Sequence, residues 1–236
     1  MKKLKELSVF FPAYNEQDNI AATVTKAAAI LPQVAQKWEI LVVNDGSKDE
    51  TSQIVNQLIK QIKNLRMITH APNRGYGGAL QTGLYESRYD WVAFTDADGQ
   101  FDFAEISRLI AKQSQTKADL VLGYYLRRQV PAYRLWGTKA WQLMVRLLFG
   151  LKVRDIDCGF KLIKRAVIKK IPRLEAERGP FISSELLVKA QQAGFKFAEI
   201  GVHHFPRVAG AATGASLKVI LSGLKDLFQL RRKLLQ

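Results

Sequence analysis

Cysteine is nearly absent from this chain. The single Cys158 excludes an internal disulfide, and with no activating base readable beside it, it reads as a small buried residue and not as a nucleophile. Long apolar runs are missing as well. No stretch reaches the roughly 18 to 20 consecutive apolar residues that a membrane-spanning helix needs, so membrane contact is expected to be peripheral. The basic start Met1-Lys2-Lys3 lacks the apolar segment of a secretory signal, which makes the cytoplasm the expected compartment. Acidic residues are few beside basic ones: 21 Asp and Glu stand against 36 Lys and Arg, and the resulting +15 favours nucleic acid, anionic lipid or phosphorylated substrates as partners. No internal repeat is found, and no Pro- or Ser-rich linker divides the chain. At 236 residues and 47% hydrophobic content, one domain with a full core is expected.

What is present is an alternation. Short apolar runs at 7–11, 39–44, 65–69, 91–95 and 120–123 predict strands, and apolar residues at helical spacing over 18–31, 51–62, 79–87 and 104–113 predict helices between them. Such βα units build a Rossmann-like α/β fold, a mainly parallel sheet flanked by helices, whose ligands collect at the carboxyl ends of the strands. Further on come a basic, aromatic segment at 127–149, an acidic knot at 155–160, a helix over 181–193, a Gly/Ala-rich loop at 208–215 and a final helix. The expected division is a catalytic domain over 1–215 and a basic amphipathic helix over 216–236.

Polar clusters follow three of the strands: Pro12-Ala13-Tyr14-Asn15-Glu16, Asn44-Asp45-Gly46-Ser47 and Asp96-Ala97-Asp98-Gly99-Gln100. In a parallel sheet all arrive at one edge. Carboxylates gathered there repel one another unless something positive lies between them, and a hard divalent cation with oxygen ligands is the usual remedy. Asp96 and Asp98, two apart on an extended segment, can reach one small volume. Each piece alone has a plainer reading. Asp45-Gly46-Ser47 is a common turn or helix N-cap, Asp96-Ala97-Asp98-Gly99 a common solvated turn, and Asn73-Arg74-Gly75-Tyr76-Gly77-Gly78 lacks the spacing of a dinucleotide fingerprint.

Taken together, Val9-Phe10-Phe11-Pro12-Ala13-Tyr14-Asn15-Glu16, Val43-Asn44-Asp45-Gly46-Ser47, Asn73-Arg74-Gly75 and Asp96-Ala97-Asp98-Gly99-Gln100 resemble the family 2 glycosyltransferases of the GT-A fold. The likeness runs on through Asp155-Ile156-Asp157-Cys158-Gly159-Phe160-Lys161 and Ser184-Glu185-Leu186 to His204-Phe205-Pro206-Arg207. Within the family the chain is most similar to dolichyl- and polyprenyl-phosphate sugar synthases, whose metal motif also reads Asp-x-Asp-x-Gln. The resemblance implies that Pro12, Tyr14, Glu16 and Asp45 hold the base and ribose of a nucleotide. It puts Asp96, with Ala97 beside it, against the ribose or sugar, and Asp98 and Gln100 on Mg2+ or Mn2+ at the diphosphate. Arg127, just past the fifth strand, is a candidate for a further phosphate contact.

The implied chemistry suits these groups. As the glycosidic bond breaks, negative charge grows on the departing diphosphate, and preorganised cations lower that barrier. Beside the metal, Arg127, Lys161 and Arg207 are candidates. The acceptor attacks from the opposite face, inverting the anomeric carbon. A sugar hydroxyl as acceptor needs a carboxylate base, for which Asp155, Asp157 and Glu185 are candidates. A lipid phosphate is already anionic and needs positioning cations instead; Lys161, Lys164, Arg165 and Arg207 favour it. The expected reaction is therefore transfer from a UDP- or GDP-sugar to a polyprenyl phosphate. Rival readings are transfer to a saccharide or small molecule, and a non-catalytic nucleotide-sugar or nucleic-acid binding module. The acidic strand-end cluster and the lack of a recognised binding motif argue against nucleic acid. His203 and His204 alternate, one expected inward and one outward, with no third ligand spaced for a metal.

Two segments are amphipathic. Over 217–235, Leu224, Leu227, Phe228, Leu230 and Leu234 share a side opposite Lys218, Lys225, Arg232 and Lys233. Such a helix lies in the headgroups of an anionic leaflet or docks its apolar face on the domain. The segment 133–149, with Trp136, Trp141, Leu143 and Leu147 among Arg134, Lys139 and Arg146, presents the same pair of readings. Relatives that make lipid-linked sugars often carry transmembrane helices after the catalytic domain. Here the expected anchor at the inner face of the membrane is the amphipathic helix or a separate membrane subunit.

Overall fold

The computed structural model describes residues 3–127, 132–177, 181–207 and 217–234, apart from the side chains of 132–134 and 217–222. The Gly/Ala-rich loop expected at 208–215 lies outside these residues. The chain alternates β1 (Leu4–Ala13), α1 (Ile20–Val34), β2 (Ala35–Asn44), α2 (Thr51–Gln61), β3 (Leu65–Thr69), α3 (Gly75–Glu86) and β4 (Trp91–Phe94). A short 3-10 turn at Phe103–Glu105 leads into α4 (Ile106–Thr116) and β5 (Leu120–Tyr125). Then come α5 (Ala132–Phe149), β6 (Lys161–Lys164), α6 (Arg165–Lys170), α7 (Phe181–Gln192), β7 (Phe197–Val202) and α8 (Leu217–Leu234). The strands form one sheet in the order β3-β2-β1-β4-β6-β5-β7. The mainly parallel plan expected from the sequence holds, and β6 is its exception, running antiparallel to β4 and to β5.

The side-chain period of 2 along a strand explains how β1 and β2 serve two cores at once. Leu7, Val9 and Phe11, with Ile40 and Val42, face a cluster shared with α1, α2 and α4. Phe10, with Leu41 and Val43, faces the other side, toward α3, α7 and α8. On that side α3 lies very close: a Cβ on Gly83 would stand 2.2 Å from the Phe10 ring, and one on Gly77 would stand 2.3 Å from Ala176 O. This explains why α3 starts at Gly75, ahead of the expected residue 79. Glycine is a poor helix former, but close packing requires it in this first turn. Leu227 and Leu230 of α8 are buried on the domain, where the helix packs against α5 and α7, while Phe228 stays exposed. Among the described residues no helix is long and apolar enough to cross a membrane.

At the amino edge of the sheet Glu39 is buried yet fully satisfied. Its carboxylate accepts from Ser8 Oγ at 2.7 Å, Arg88 N at 2.8 Å and Arg66 Nε at 2.9 Å. Burial alone raises such a carboxyl, but hydrogen bonds from Arg66, Ser8 and Arg88 N outweigh it and hold Glu39 below the ordinary value of 4.5. A depressed folded-state value means stability that is complete above about pH 4.5 and is lost as pH falls through the folded pKa. Glu39→Gln is therefore expected to lower stability at pH 7 by about 1–3 kcal/mol. Thermal melts of the two proteins should converge below pH 4.5; a gap unchanged there would exclude this account.

Candidate active site

Parallel pairing of β1 with β2 and with β4 brings Ala13, Asn44 and the segment after Phe94 to one sheet edge. The turns there are stitched to each other. Asp45 N donates to Ala13 O at 2.9 Å, Lys48 N to Asn15 Oδ1 at 2.8 Å, and Glu16 N to Thr51 Oγ1 at 2.9 Å. Pro12 and Ala97 are buried beneath the edge, while Tyr14 stands partly exposed at its lip.

Asp45 is almost wholly engaged. Oδ1 accepts from His70 Nδ1 at 2.6 Å and Arg74 N at 2.9 Å, and Oδ2 accepts from Gly75 N at 2.7 Å. The far nitrogen of His70 meets Thr82 Oγ1 at 2.9 Å. A proton on Nδ1 lets the ring donate to Asp45. Asp45, expected to hold the nucleotide directly, thus shapes the Asn73-Arg74-Gly75 turn. His70 escaped the sequence reading, although its place one residue past β3, at the ligand edge, was the available signal.

The acidic centre joins residues far apart in the chain. Arg207 Nη2 donates to Asp98 Oδ2 at 2.9 Å and stands 3.4 Å from Glu16 Oε1, while Asn19 Nδ2 donates to Glu16 Oε2 at 2.8 Å. Burial raises the Glu16 carboxyl. Tyr76 OH donates to Asp96 Oδ1 at 3.0 Å. Gly159 passes so close over Asp96 that a Cβ there would lie 2.6 Å from Oδ2. Burial first, then the charge of Asp98, pushes the Asp96 carboxyl up to about 6. Arg207 reaches this centre along a seam. Gln100 Nε2 donates to Phe205 O, Phe205 N donates to Gln100 O, each at 2.8 Å, and Phe101 bridges His204. His204 turns inward against Phe101 and Tyr125, and His203 turns outward onto Glu105, as the alternation predicted.

Other expected participants sit elsewhere or do different work. Lys161 is fully buried and donates to Ile156 O at 3.1 Å and to Cys158 O. As the first residue of an inward-facing strand, it is a buried counter-charge beneath the 155–160 turn and not a cation presented to a diphosphate; burial lowers its pKa. Asp155 Oδ1 accepts from Asp157 N at 2.9 Å and Cys158 N at 3.1 Å, so it caps that turn, on which Asp157 also lies. Glu185 is not placed as a base. Its oxygens accept from Lys189 Nζ at 2.6 Å, Ala176 N at 2.9 Å and Glu175 N at 3.0 Å, clamping the strip that α3 packs on. Burial pushes the Cys158 thiol up to about 12, which leaves it inert at neutral pH. Arg127 is exposed just beyond β5.

The donor set fits a hard divalent cation. Asp98 and Asp96 supply buried carboxylates whose mutual repulsion calls for positive charge, and Arg207 stands in for that charge between Asp98 and Glu16. With its nitrogen donating to Phe205 O, Gln100 keeps Oε1 as its remaining acceptor. No group of three or more acidic, His or Cys side chains forms a closed cage among the described residues.

The profile described as Glycosyl transferase family 2 matches residues 8–172. A dolichyl-phosphate beta-glucosyltransferase of Saccharomyces cerevisiae is 31% identical over 224 residues, covering 83% of this chain and 66% of that protein. An undecaprenyl-phosphate 4-deoxy-4-formamido-L-arabinose transferase of Pectobacterium atrosepticum is 29% identical over 219 residues, covering 92% of this chain and 65% of that one. The chain therefore spans about two thirds of the length of these relatives. Glucosyl-3-phosphoglycerate synthase of Mycobacterium tuberculosis, crystallised with Mn2+, UDP and glucosyl-3-phosphoglycerate, superposes with a TM-score of 0.68 at 18% identity, over 96% of this chain and 78% of that one. The likeness is one of fold, and the fold is GT-A as expected.

Proposed function

Because the chain belongs to glycosyl transferase family 2, we propose that it moves a sugar, with inversion, from a UDP- or GDP-sugar to a polyprenyl phosphate at the cytoplasmic face of a membrane. The observation that carries this reading is the meeting of Arg207 with Asp98 and Glu16. In this reading the acidic edge takes the diphosphate and Arg207, five residues past β7, brings a cation up to it, as transfer between two phosphate-bearing substrates requires. The engagement of Asp155 and Glu185 in backbone hydrogen bonds adds support. A hydroxyl acceptor needs a carboxylate to take its proton, whereas a phosphate acceptor needs none near neutral pH.

In this reading Asp98, with Gln100 Oε1 beside it, holds Mg2+ or Mn2+, and Asp96 lies against the ribose or sugar. The bound ion supplies positive charge to the departing diphosphate. Pro12, Tyr14 and the turn held by Asp45 seat the nucleoside, and Arg207 orients the acceptor phosphate, with Arg127 a second phosphate contact at the rim. The two relatives whose names specify lipid phosphates favour this acceptor class.

The test is a panel of UDP- and GDP-sugars with Mn2+, each with and without undecaprenyl or dolichyl phosphate, following release of nucleoside diphosphate. Release only when lipid phosphate is present is expected. Turnover on a saccharide without lipid would replace this acceptor with a hydroxyl, and binding without any turnover would leave a non-catalytic module.

A further inference from the structure

The insertion between β5 and β6 has two faces of different character. Its helix, α5, packs inward through Val145, Met144 and Trp141, whose Nε1 donates to Ser184 Oγ at 3.0 Å. Outward it leaves Trp136, Leu143 and Leu147 exposed at 74%, 56% and 76%. Their spacing puts them on one stripe of the helix. Lys139, 6.0 Å above the Trp136 ring, and exposed Arg146 flank that stripe.

Charge separates this surface from an ordinary protein contact. From 126 to 154 the chain holds seven Arg or Lys and no Asp or Glu. Large apolar side chains standing open among cations, with Trp among them, match the interface of an anionic bilayer. The topology puts this surface beside the site. β5 ends at the ligand edge, and β6, being antiparallel, starts there, with Lys161 opposite Phe94. The insertion therefore leaves and rejoins the sheet at that edge. Leu126 and Phe205, exposed at 50% and 47%, follow β5 and β7 at the same edge.

We infer that the outer stripe of α5, continued by Leu126 and Phe205 at the ligand edge, is the surface that docks on an anionic bilayer. In α8, by contrast, Leu227 and Leu230 are buried on the domain and Phe228 alone of the described large apolar side chains stands open. The inference deepens the lipid-phosphate reading, on which it rests for why the ligand edge should face lipid.

The test uses phosphatidylglycerol/phosphatidylcholine vesicles without polyprenyl phosphate, so that it does not depend on the acceptor. In co-sedimentation the wild-type chain is expected to bind, and more weakly as salt rises. A variant carrying Trp136→Ser, Leu143→Ser and Leu147→Ser should lose binding by about tenfold or more, and Phe228→Ser on α8 should bind as wild type. Turnover of the triple variant on a short, water-soluble prenyl phosphate should be unchanged, which separates docking from catalysis. As a check that needs no triple variant, brominated lipids should quench wild-type tryptophan fluorescence and quench Trp136→Phe much less. Wild-type binding by the triple variant, or a change in self-association alone, overturns the inference. Vesicle binding lost with these side chains, combined with failure of every lipid phosphate in the substrate panel, would keep the docking surface and remove the acceptor assignment.

Discussion

Asp98→Ala is expected to abolish divalent-dependent donor binding and to lower transfer by about a thousandfold or more. Asp98 is the carboxylate that Arg207 grips at 2.9 Å, and it lies one short turn from Gln100 and two residues from Asp96. Glu16 Oε1 stands farther from that guanidinium, at 3.4 Å, and Asp96 is engaged by Tyr76 OH. The fold should survive, since the deleted group packs in no apolar cluster and Arg207 keeps Glu16 as a neighbour. A loss of no more than about 1–2 kcal/mol in stability is expected. Circular dichroism and calorimetric titration of UDP and GDP, with and without Mn2+, would check both halves. Donor affinity equal to wild type, with the same dependence on Mn2+, would remove Asp98 from the site.

Arg207→Ala should separate two quantities that usually move together. Turnover should fall by about a hundredfold or more, with the larger part in the KM for lipid phosphate, because the proposed charge-assisted contact to the acceptor would be gone. Mn2+ binding to the protein without donor should instead become tighter. In the resting protein the guanidinium occupies the space between Asp98 and Glu16, and an incoming cation must displace it. Arg207→Lys, which keeps the charge but loses the planar fork, should fall between the two. Titration of Mn2+ into each variant decides the matter; weaker Mn2+ binding by Arg207→Ala would show that the arginine does not compete with the ion.

Much of this architecture could be read from the residues, and the failures have physical causes. β1 to β5 were legible because their apolar runs are bounded by turn residues and separated by helical periodicity. β6 was not. It is four residues long, begins with a lysine, and buries Leu162 and Ile163 alike because both sheet faces are covered, so no alternation survives. β7 was hidden by Gly201, and its pattern surfaced only at the two histidines after it. The strand-end aspartates were legible as a group because parallel topology must bring them together. The pairing of Glu16 with Arg207 was not, since 191 residues separate them and only the reciprocal Gln100 and Phe205 bonds set their distance. Lys161 and Glu185 looked like catalytic groups because sequence shows charge but not direction. One faces into the turn beneath it, and the other is consumed by backbone N–H groups.

The seam between residues 100–101 and 204–205 also bears on how the two proposed substrate sides are joined. It fastens the strip bearing Asp98 to the strip bearing Arg207. If the proposed sugar nucleotide and lipid phosphate bind these two strips, whatever preference the first imposes on the second must be returned in equal measure when the order is reversed, because coupling free energy between two ligands is the same in either order. Any effect that filling the proposed donor side has on affinity at the proposed acceptor side is therefore matched by the reverse effect.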